Sequence, residues 1–150
     1  MSNALVIVHL SSLDSYAEKY GVAVAQDLAD RLSEAILTHA GPVFIIDQRW
    51  PYTEGISDPR VNLVQHVQLA RDIKWSHFDD RSDDWDIYLE HLRKALLRAG
   101  VKNIILGGMW YSPEGAGCVS DAQTVLVKNF MVRVNPRLVG CIPTGGKVSS

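Results

Sequence analysis

Short apolar runs alternate along the chain with longer segments whose apolar residues recur every three or four positions. Runs of this length are typical of strands buried on both faces of a parallel sheet, and the wider spacing is typical of amphipathic helices. The predicted strands cover residues 4–10, 43–46, 103–106, 130–134 and, as a short edge strand, 138–142. The predicted helices cover residues 21–39, residues 82–99 with Ser82 as N-cap, and residues 120–128.

The alternation of strands and helices indicates the fold class. Strands that alternate with helices of this length favour βαβ units, so the sequence predicts a doubly wound α/β fold with a mostly parallel sheet and helices on both faces, a Rossmann-like three-layer arrangement. The chain has 150 residues, of which 47% are hydrophobic, enough for one compact core. We expect a single domain over residues 1–143 and a loose polar tail over residues 144–150.

The segment 48–81 is the part of the sequence with the least regular pattern. It contains Trp50, Pro51, Gly55 and Pro59 but no clear periodicity over most of its length. A long aperiodic segment is often a functional loop region, and it can equally be ordinary structure that a single sequence does not reveal.

The charge and the composition of the chain indicate which kinds of partner it is not expected to bind. The formal net charge is −2 and charges of both signs are interspersed, so nothing resembles the basic patch that a nucleic-acid backbone needs. The apolar start at residues 4–8 is too short to span a membrane and follows no basic segment. Cys118 and Cys141, without an export signal, are expected to be free thiols. We therefore expect a cytoplasmic protein that binds neither nucleic acid nor membranes.

Several ligand motifs are absent from the sequence. There is no G-x-G-x-x-G after the first strand and no phosphate-binding G-x-x-x-x-G-K-[ST], so a nucleotide cofactor is not indicated. The cysteines and the five histidines lack zinc-site spacing. We expect no cofactor and no metal, although Asp47 and His66 are residue types that bind metal ions.

The predicted strands deliver three chemically useful groups to one edge of the sheet. Ligands of open parallel sheets bind beyond the carboxyl ends of the strands. His9 ends the first strand, Asp47 follows the second, and the Gly-rich loop after the third leads to Cys118 at a helix start. Because a helix N-terminus favours thiolate, this combination is suited to catalysis by a nucleophilic cysteine.

Each of these residues also has a structural interpretation. Cys118 can be a small buried residue beneath the loop, His9 a core histidine, and Asp47 a turn cap. Trp110 and Tyr111, in the loop after the third strand, either line a substrate pocket or anchor the loop or a subunit contact.

A helix that ends at a glycine, a strand that ends at a glycine and a Cys-Val pair that opens the next helix follow one another along the chain. The segments concerned are residues 4–10, residues 97–108, Cys118-Val119, Ala122, Leu126, Asn129-Phe130 and residues 132–134. This pattern resembles the core of the isochorismatase-like cysteine hydrolases. The resemblance implies an α/β fold and a Cys/Asp/Lys triad that hydrolyses amides or, in the isochorismatases proper, an enol ether.

The triad carries over in part. Cys118 lies at the nucleophile position and Lys74 matches the family lysine, whereas His9 stands where the family has its first-strand aspartate, with Asp14 a few residues later. The loop from Gly108 to Cys118 is also longer than the family's usual turn. Two hypotheses follow: a hydrolase of small amide-like substrates, or a non-catalytic binding or assembly module with the same fold. In either case we expect a small-molecule ligand and a homo-oligomer.

Overall fold

The computed structural model describes residues 3–46, 76–77, 84–112 and 114–141. Within these residues, five parallel strands form one sheet in the order β3-β2-β1-β4-β5. The strands are β1 Asn3–Val8, β2 Val43–Ile46, β3 Ser76–His77, β4 Asn103–Tyr111 and β5 Met131–Cys141. The chain thus lays β2 and β3 on one side of β1 before crossing to β4 and β5 on the other side.

Helices cover both faces of the sheet. They are α1 Leu13–Tyr20, α2 Val22–Thr38, α3 Trp85–Arg98 and α4 Cys118–Leu126, with a single 3₁₀ turn at Leu10–Ser12. Leu5 and Ile7 of β1 pack in the core beneath α1 and α2, whereas Val6 and Val8 pack in the core beneath α3 and α4. Successive strand residues point to opposite faces, so a strand covered twice has to be apolar throughout. The predicted doubly wound α/β class is confirmed.

A helix that the sequence pattern does not predict precedes the first predicted one. Residues 13–20, where the pattern indicates only a break and a short connection, form α1. The helix predicted over residues 21–39 is α2, and Gly21, with a φ of 106°, separates it from α1. The signal for α1 is short: only Leu13 and Ala17, one turn apart, are buried.

The third helix starts slightly later than predicted. Its N-cap is Asp84, whose Oδ1 accepts hydrogen bonds from the backbone N–H groups of Asp86 (2.9 Å) and Ile87 (3.1 Å). Ser82, the predicted cap, lies outside the described residues. The fourth helix begins at Cys118, two positions before the predicted start.

Strand β4 corrects the predicted strand end at Leu106, because it continues through Gly107 and Gly108 to Tyr111. Gly108 has a φ of 108° and pairs with Val8, and a Cβ at this position would collide with the Val8 backbone. A Cβ at Gly107 would press against Leu138 of β5. These glycines allow close packing within the sheet and do not end the strand. The loop before Cys118 is therefore residues 112–117, shorter than the sequence indicated.

Strand β5 also joins two predicted pieces. It is continuous from Met131 to Cys141 and includes Pro136, which is compatible with its position at the edge of the described sheet. Its pairing with β4 shifts register between Leu106 and Gly108 and again between Met109 and Tyr111.

Candidate active site

The strand order reverses between β1 and β4, and the candidate site lies at the carboxyl ends of these strands. In open parallel sheets this crevice is where ligands bind. His9 follows the last residue of β1, and its backbone N–H donates a 2.8 Å hydrogen bond to the carbonyl of Ile46 in β2. Its carbonyl accepts a 2.9 Å bond from the N–H of Ser12, which closes the 3₁₀ turn. His9 is thus fixed at both sides of its backbone.

The backbone of His9 adopts an uncommon conformation. Its φ and ψ angles, 50° and 54°, lie in the left-handed region, and it is the one residue other than glycine with positive φ among those the structure describes. Such conformations in larger residues often mark functional positions. The residue is only 6% exposed. His9 therefore turns the chain out of β1 while its ring stays inside the protein.

The His9 ring packs against Trp85, the first residue of α3. The ring centroids are 5.0 Å apart at an interplanar angle of 40°, and Trp85 in turn stacks on the buried Tyr88 at 5.5 Å. The indole Nε1–H donates a 3.2 Å hydrogen bond to Asp121 in the first turns of α4. Trp85 thus connects the end of β1 with the beginning of the helix that carries Cys118.

Cys118 is the first residue of α4 and is half-buried. It packs against the same apolar core as Trp85 and Tyr111. Gly117 precedes it with a φ of 101°, and a Cβ at Gly117 would collide with the carbonyl group of Trp110. The helix start can therefore approach β4 closely only because position 117 is glycine. Cys118 thus lies at the N-terminal end of α4, where backbone N–H groups carry partial positive charge.

The loop before Cys118 is held by its own hydrogen bonds. The buried Ser120 hydroxyl donates to the carbonyl of Ala116 at 2.9 Å and reaches that of Ser112 at 3.3 Å. The N–H of Glu114 donates to the Ser112 hydroxyl at 3.1 Å, and the N–H of Gly115 donates to the Ser112 carbonyl at 3.0 Å. These bonds fix the backbone that leads into Cys118.

The structure separates Trp110 from Tyr111. As consecutive strand residues they point to opposite faces: Tyr111 packs on the α3 and α4 side near Cys118, whereas Trp110 packs on the α1 side against Tyr16 and Tyr20. The two aromatic side chains therefore do not line one pocket together. Of the two side chains, Tyr111 is the one that packs on the same apolar core as Cys118.

Of the other predicted site residues, one lies within the described part of the chain and the others lie outside it. Asp14 is half-buried in the first turn of α1, the helix that follows His9 and the 3₁₀ turn. Asp47 and Lys74 lie outside the described residues, as does His66. Within the described part of the chain, no group of three His, Cys, Asp or Glu side chains is placed to hold a metal ion. None of the described helices has both the length and the apolar character needed to cross a membrane.

Trp85 and Asp121 are the functional candidates that the sequence pattern did not reveal. Both fall within predicted helices, over residues 82–99 and 120–128, and nothing in the hydrophobic pattern distinguishes them from their neighbours. A signal was nevertheless present, because helices that follow parallel strands begin at the carboxyl edge of the sheet, where the ligand site lies. A large aromatic residue directly after a helix N-cap is therefore a reasonable candidate for such a site.

Known structures share this architecture, although no protein-family model and no curated protein matches the sequence. An isochorismatase-like hydrolase from Alkaliphilus metalliredigens superposes with a TM-score of 0.53 and 14% identity, over 96% of this chain and 84% of the other. This chain has the isochorismatase-like hydrolase fold. The fold expected from the sequence resemblance is thereby confirmed.

Two further structures have similar folds. N-carbamoylsarcosine amidase from Thermoplasma acidophilum matches with a TM-score of 0.51 and 16% identity, over 93% of this chain and 84% of the other. The MAR1 ribonuclease from Caenorhabditis elegans matches with a TM-score of 0.51 and 20% identity, over 93% of this chain. This chain spans 65% of the length of MAR1. At these identities the likeness concerns the isochorismatase-like fold, and one fold can carry several chemistries.

Proposed function

We propose that the protein is a cysteine-dependent hydrolase of small amide-like metabolites, with Cys118 as nucleophile and His9 as general base. The observation that carries the proposal is the link through Trp85, which contacts the His9 ring on one side and the first turns of α4 on the other. His9 follows β1 and Cys118 begins the helix after β4, so their positions at the carboxyl ends of these two strands support a shared site. The comparison with an amidase and an isochorismatase-like hydrolase supports the same class of reaction.

The chemistry follows from the residue types. A neutral imidazole at His9 accepts the proton of the Cys118 thiol, and the thiolate attacks the substrate carbonyl carbon to form a C–S bond. The C–N bond then breaks, the amine leaves with the proton from the imidazole, and water hydrolyses the thioester to release the acid. Backbone N–H groups at the start of α4 are suited to stabilise the negative carbonyl oxygen.

His9 has a specific meaning in this proposal, because the resemblance implies an aspartate at its position. The ordinary pKa of histidine lies near neutrality, so an imidazole can take a thiol proton at physiological pH without a carboxylate partner. Asp14 is the alternative base, and Lys74 is the residue that the resemblance assigns to electrostatic support. We propose a small-molecule substrate for this site, in a cytoplasmic homo-oligomer.

The test is the reactivity of the thiol. In a Cys141→Ser background, intact-mass measurements of iodoacetamide labelling at pH 7 should show Cys118 reacting on the order of ten times faster than in the urea-unfolded chain, because thiolate is the reactive form. His9→Asn should slow this labelling, since asparagine tolerates left-handed backbone while lacking the imidazole. His91→Asn, an exposed histidine within α3, is the matched control.

The opposite result would favour the second hypothesis. If Cys118 labels no faster in the folded protein than in the unfolded chain, and His9→Asn changes nothing, the non-catalytic binding module replaces the hydrolase. A panel of amides should be assayed together with an RNA oligonucleotide, because MAR1 is named as a ribonuclease. Amide hydrolysis that is lost in Cys118→Ser is the expected outcome.

A further inference from the structure

A second group of aromatic side chains lies at the carboxyl edge of the sheet, on the face opposite to Cys118. Tyr16 and Tyr20 of α1 meet Trp110 of β4, with ring centroids 5.0, 5.6 and 6.4 Å apart and interplanar angles of 53–59°. We call these three rings, together with Lys19, the aromatic ledge. Tyr16, Lys19 and Tyr20 share one side of α1 because residues three and four apart are neighbours on a helix.

The ledge differs from the core next to it. Core side chains on this face, such as Leu13 and Met109, are fully buried, whereas all three rings of the ledge remain partly exposed. Tyr16 lies over β5, where Gly140 has no side chain to displace it. The three rings therefore pack against one another and, at Tyr16, against β5, while part of their surface faces solvent.

Positive charge accompanies the rings. The exposed Lys19 places its Nζ 5.8 Å from the centroid of the Trp110 ring, and no carboxylate of the described residues forms an ion pair with it. The charge of Arg31 also acts on the Tyr16 hydroxyl, where it counters part of the rise in pKa that burial causes. Arg31 is itself bound to Asp27 and to the carbonyl of Arg137, so of these two cations Lys19 is the one left to pair with a ligand at the rings.

We propose that the aromatic ledge binds a planar ring that carries an anionic group, the chemistry of a nucleotide. Trp and Tyr side chains stack on bases of any sequence, and an adjacent ammonium group pairs with phosphate. The net charge of −2, which speaks against a nucleic-acid partner, is a property of the whole chain. The ledge is local and needs only one cation beside the rings.

This proposal is independent of the reaction at Cys118. Trp110 and Tyr111 diverge to the two faces, so the ledge does not require the thiol to be reactive. The connection between the regions is the backbone, because Gly117 before Cys118 lies against the carbonyl of Trp110. Failure of the labelling experiment would leave the ledge untouched, and failure of ligand binding would leave the hydrolase proposal untouched.

The experiment uses titration calorimetry or ligand-observed NMR with three matched probes: adenosine monophosphate, adenosine and ribose 5-phosphate. Adenosine monophosphate should bind tightest, because the other two lack the anion or the ring. Trp110→Leu should weaken its binding about five-fold or more through loss of stacking. Lys19→Gln should weaken it about two- to five-fold, as expected for an exposed ion pair, without changing adenosine binding.

Control variants make the outcome decisive. Lys128→Gln removes an exposed lysine after α4 and should leave binding unchanged, as should Cys118→Ser. Tyr20→Leu, at the end of α1, provides a second ring deletion if Trp110→Leu unfolds. Equal binding of ribose 5-phosphate and adenosine monophosphate, a loss in Cys118→Ser or Lys128→Gln equal to that in Lys19→Gln, or no binding at millimolar concentration would overturn the proposal.

A single-stranded RNA hexamer distinguishes the two sources of such a ligand. If a nucleic-acid strand is the natural ligand, the hexamer should bind more tightly than the mononucleotide, with an affinity that falls as salt rises. If a free nucleotide is the ligand, the two affinities should be similar. Trp110→Leu should weaken the binding of both probes in either case.

Discussion

The two faces of the sheet end at its carboxyl edge in aromatic groups of different chemistry. On the α3 and α4 face, Trp85 joins His9 to the helix start at Cys118. On the α1 face, Trp110 packs against Tyr16 and Tyr20, and Lys19 lies beside it; these residues form the aromatic ledge. The first arrangement combines an imidazole with a thiol, whereas the second combines aromatic rings with a positive charge. The two proposals therefore assign covalent chemistry to one face of this edge and ring recognition to the other.

The largest effect is expected at the position on which both faces depend. Gly108→Ala should destabilise the protein by about 3–5 kcal/mol, because the new Cβ meets the Val8 backbone and alanine is strained at this φ. Gly115→Ala has similar φ but open space around it, and should cost only about 1–2 kcal/mol. Urea unfolding measures both, and equal losses would contradict the close approach of β1 and β4.

The next comparison separates stability from reactivity. Trp85→Ala should cost about 2–3 kcal/mol through lost packing and should also alter the rate of Cys118 alkylation, since it removes the contact to His9 and the hydrogen bond to Asp121. Leu32→Ala, in the core beneath α2, should cost about 2–5 kcal/mol without altering that rate. If both variants changed the alkylation rate alike, Trp85 would have no specific role.

A smaller effect is expected at the N-cap that positions Trp85. Asp84→Ala removes the acceptor for the N–H groups of Asp86 and Ile87 and should cost about 1 kcal/mol. Asp84→Asn should retain most of the stability, because asparagine is also a good N-cap. Thermal unfolding of the two variants provides the measurement, and an alanine variant as stable as the asparagine variant would exclude a role for the cap.

The smallest effect concerns pH on the α1 face. Burial raises the pKa of Tyr16 above its usual value, and the neighbouring Cys141 adds to the rise. A raised pKa in the folded state means that the contribution to stability is present below pH 10 and is lost as pH rises through the folded pKa. The free energy of unfolding of Tyr16→Phe should therefore fall less steeply than that of the wild type as pH rises above 10. An absorbance titration of tyrosinate in both proteins would show whether the late-titrating group disappears.

Prediction from sequence was most successful where burial alone determines the pattern. The runs in β1 and β2 are apolar at nearly every position because helices cover both of their faces, and the strand order then follows the usual rules for α/β chains. It failed at Gly107 and Gly108, which look like a strand end but lie within β4. Glycine is used there for close approach, and a single sequence does not distinguish that use from a turn.

The candidate site shows the same division. A cysteine at the start of a helix and a histidine at the end of a strand could be recognised from local pattern, because both positions follow from where the elements begin and end. The role of Trp85 could not, since its contacts with His9 and Asp121 join residues far apart in the chain. Asp47 and Lys74, which lie outside the described residues, stay predictions.

By itself the sequence determined the three-layer α/β class, the doubly covered central strand and the presence of a thiol at a helix start. Those properties depend on the spacing of hydrophobic residues and on helix start and stop signals, and both involve residues that are close together in the sequence. Only the tertiary structure decided that Trp110 and Tyr111 serve opposite faces and that Trp85 joins His9 to α4. The physical reason is that side chains alternate between the two faces of a strand, so the face of Trp110 and of Tyr111 depends on β4 extending that far. Their neighbours are then set by packing between elements that are distant in the chain.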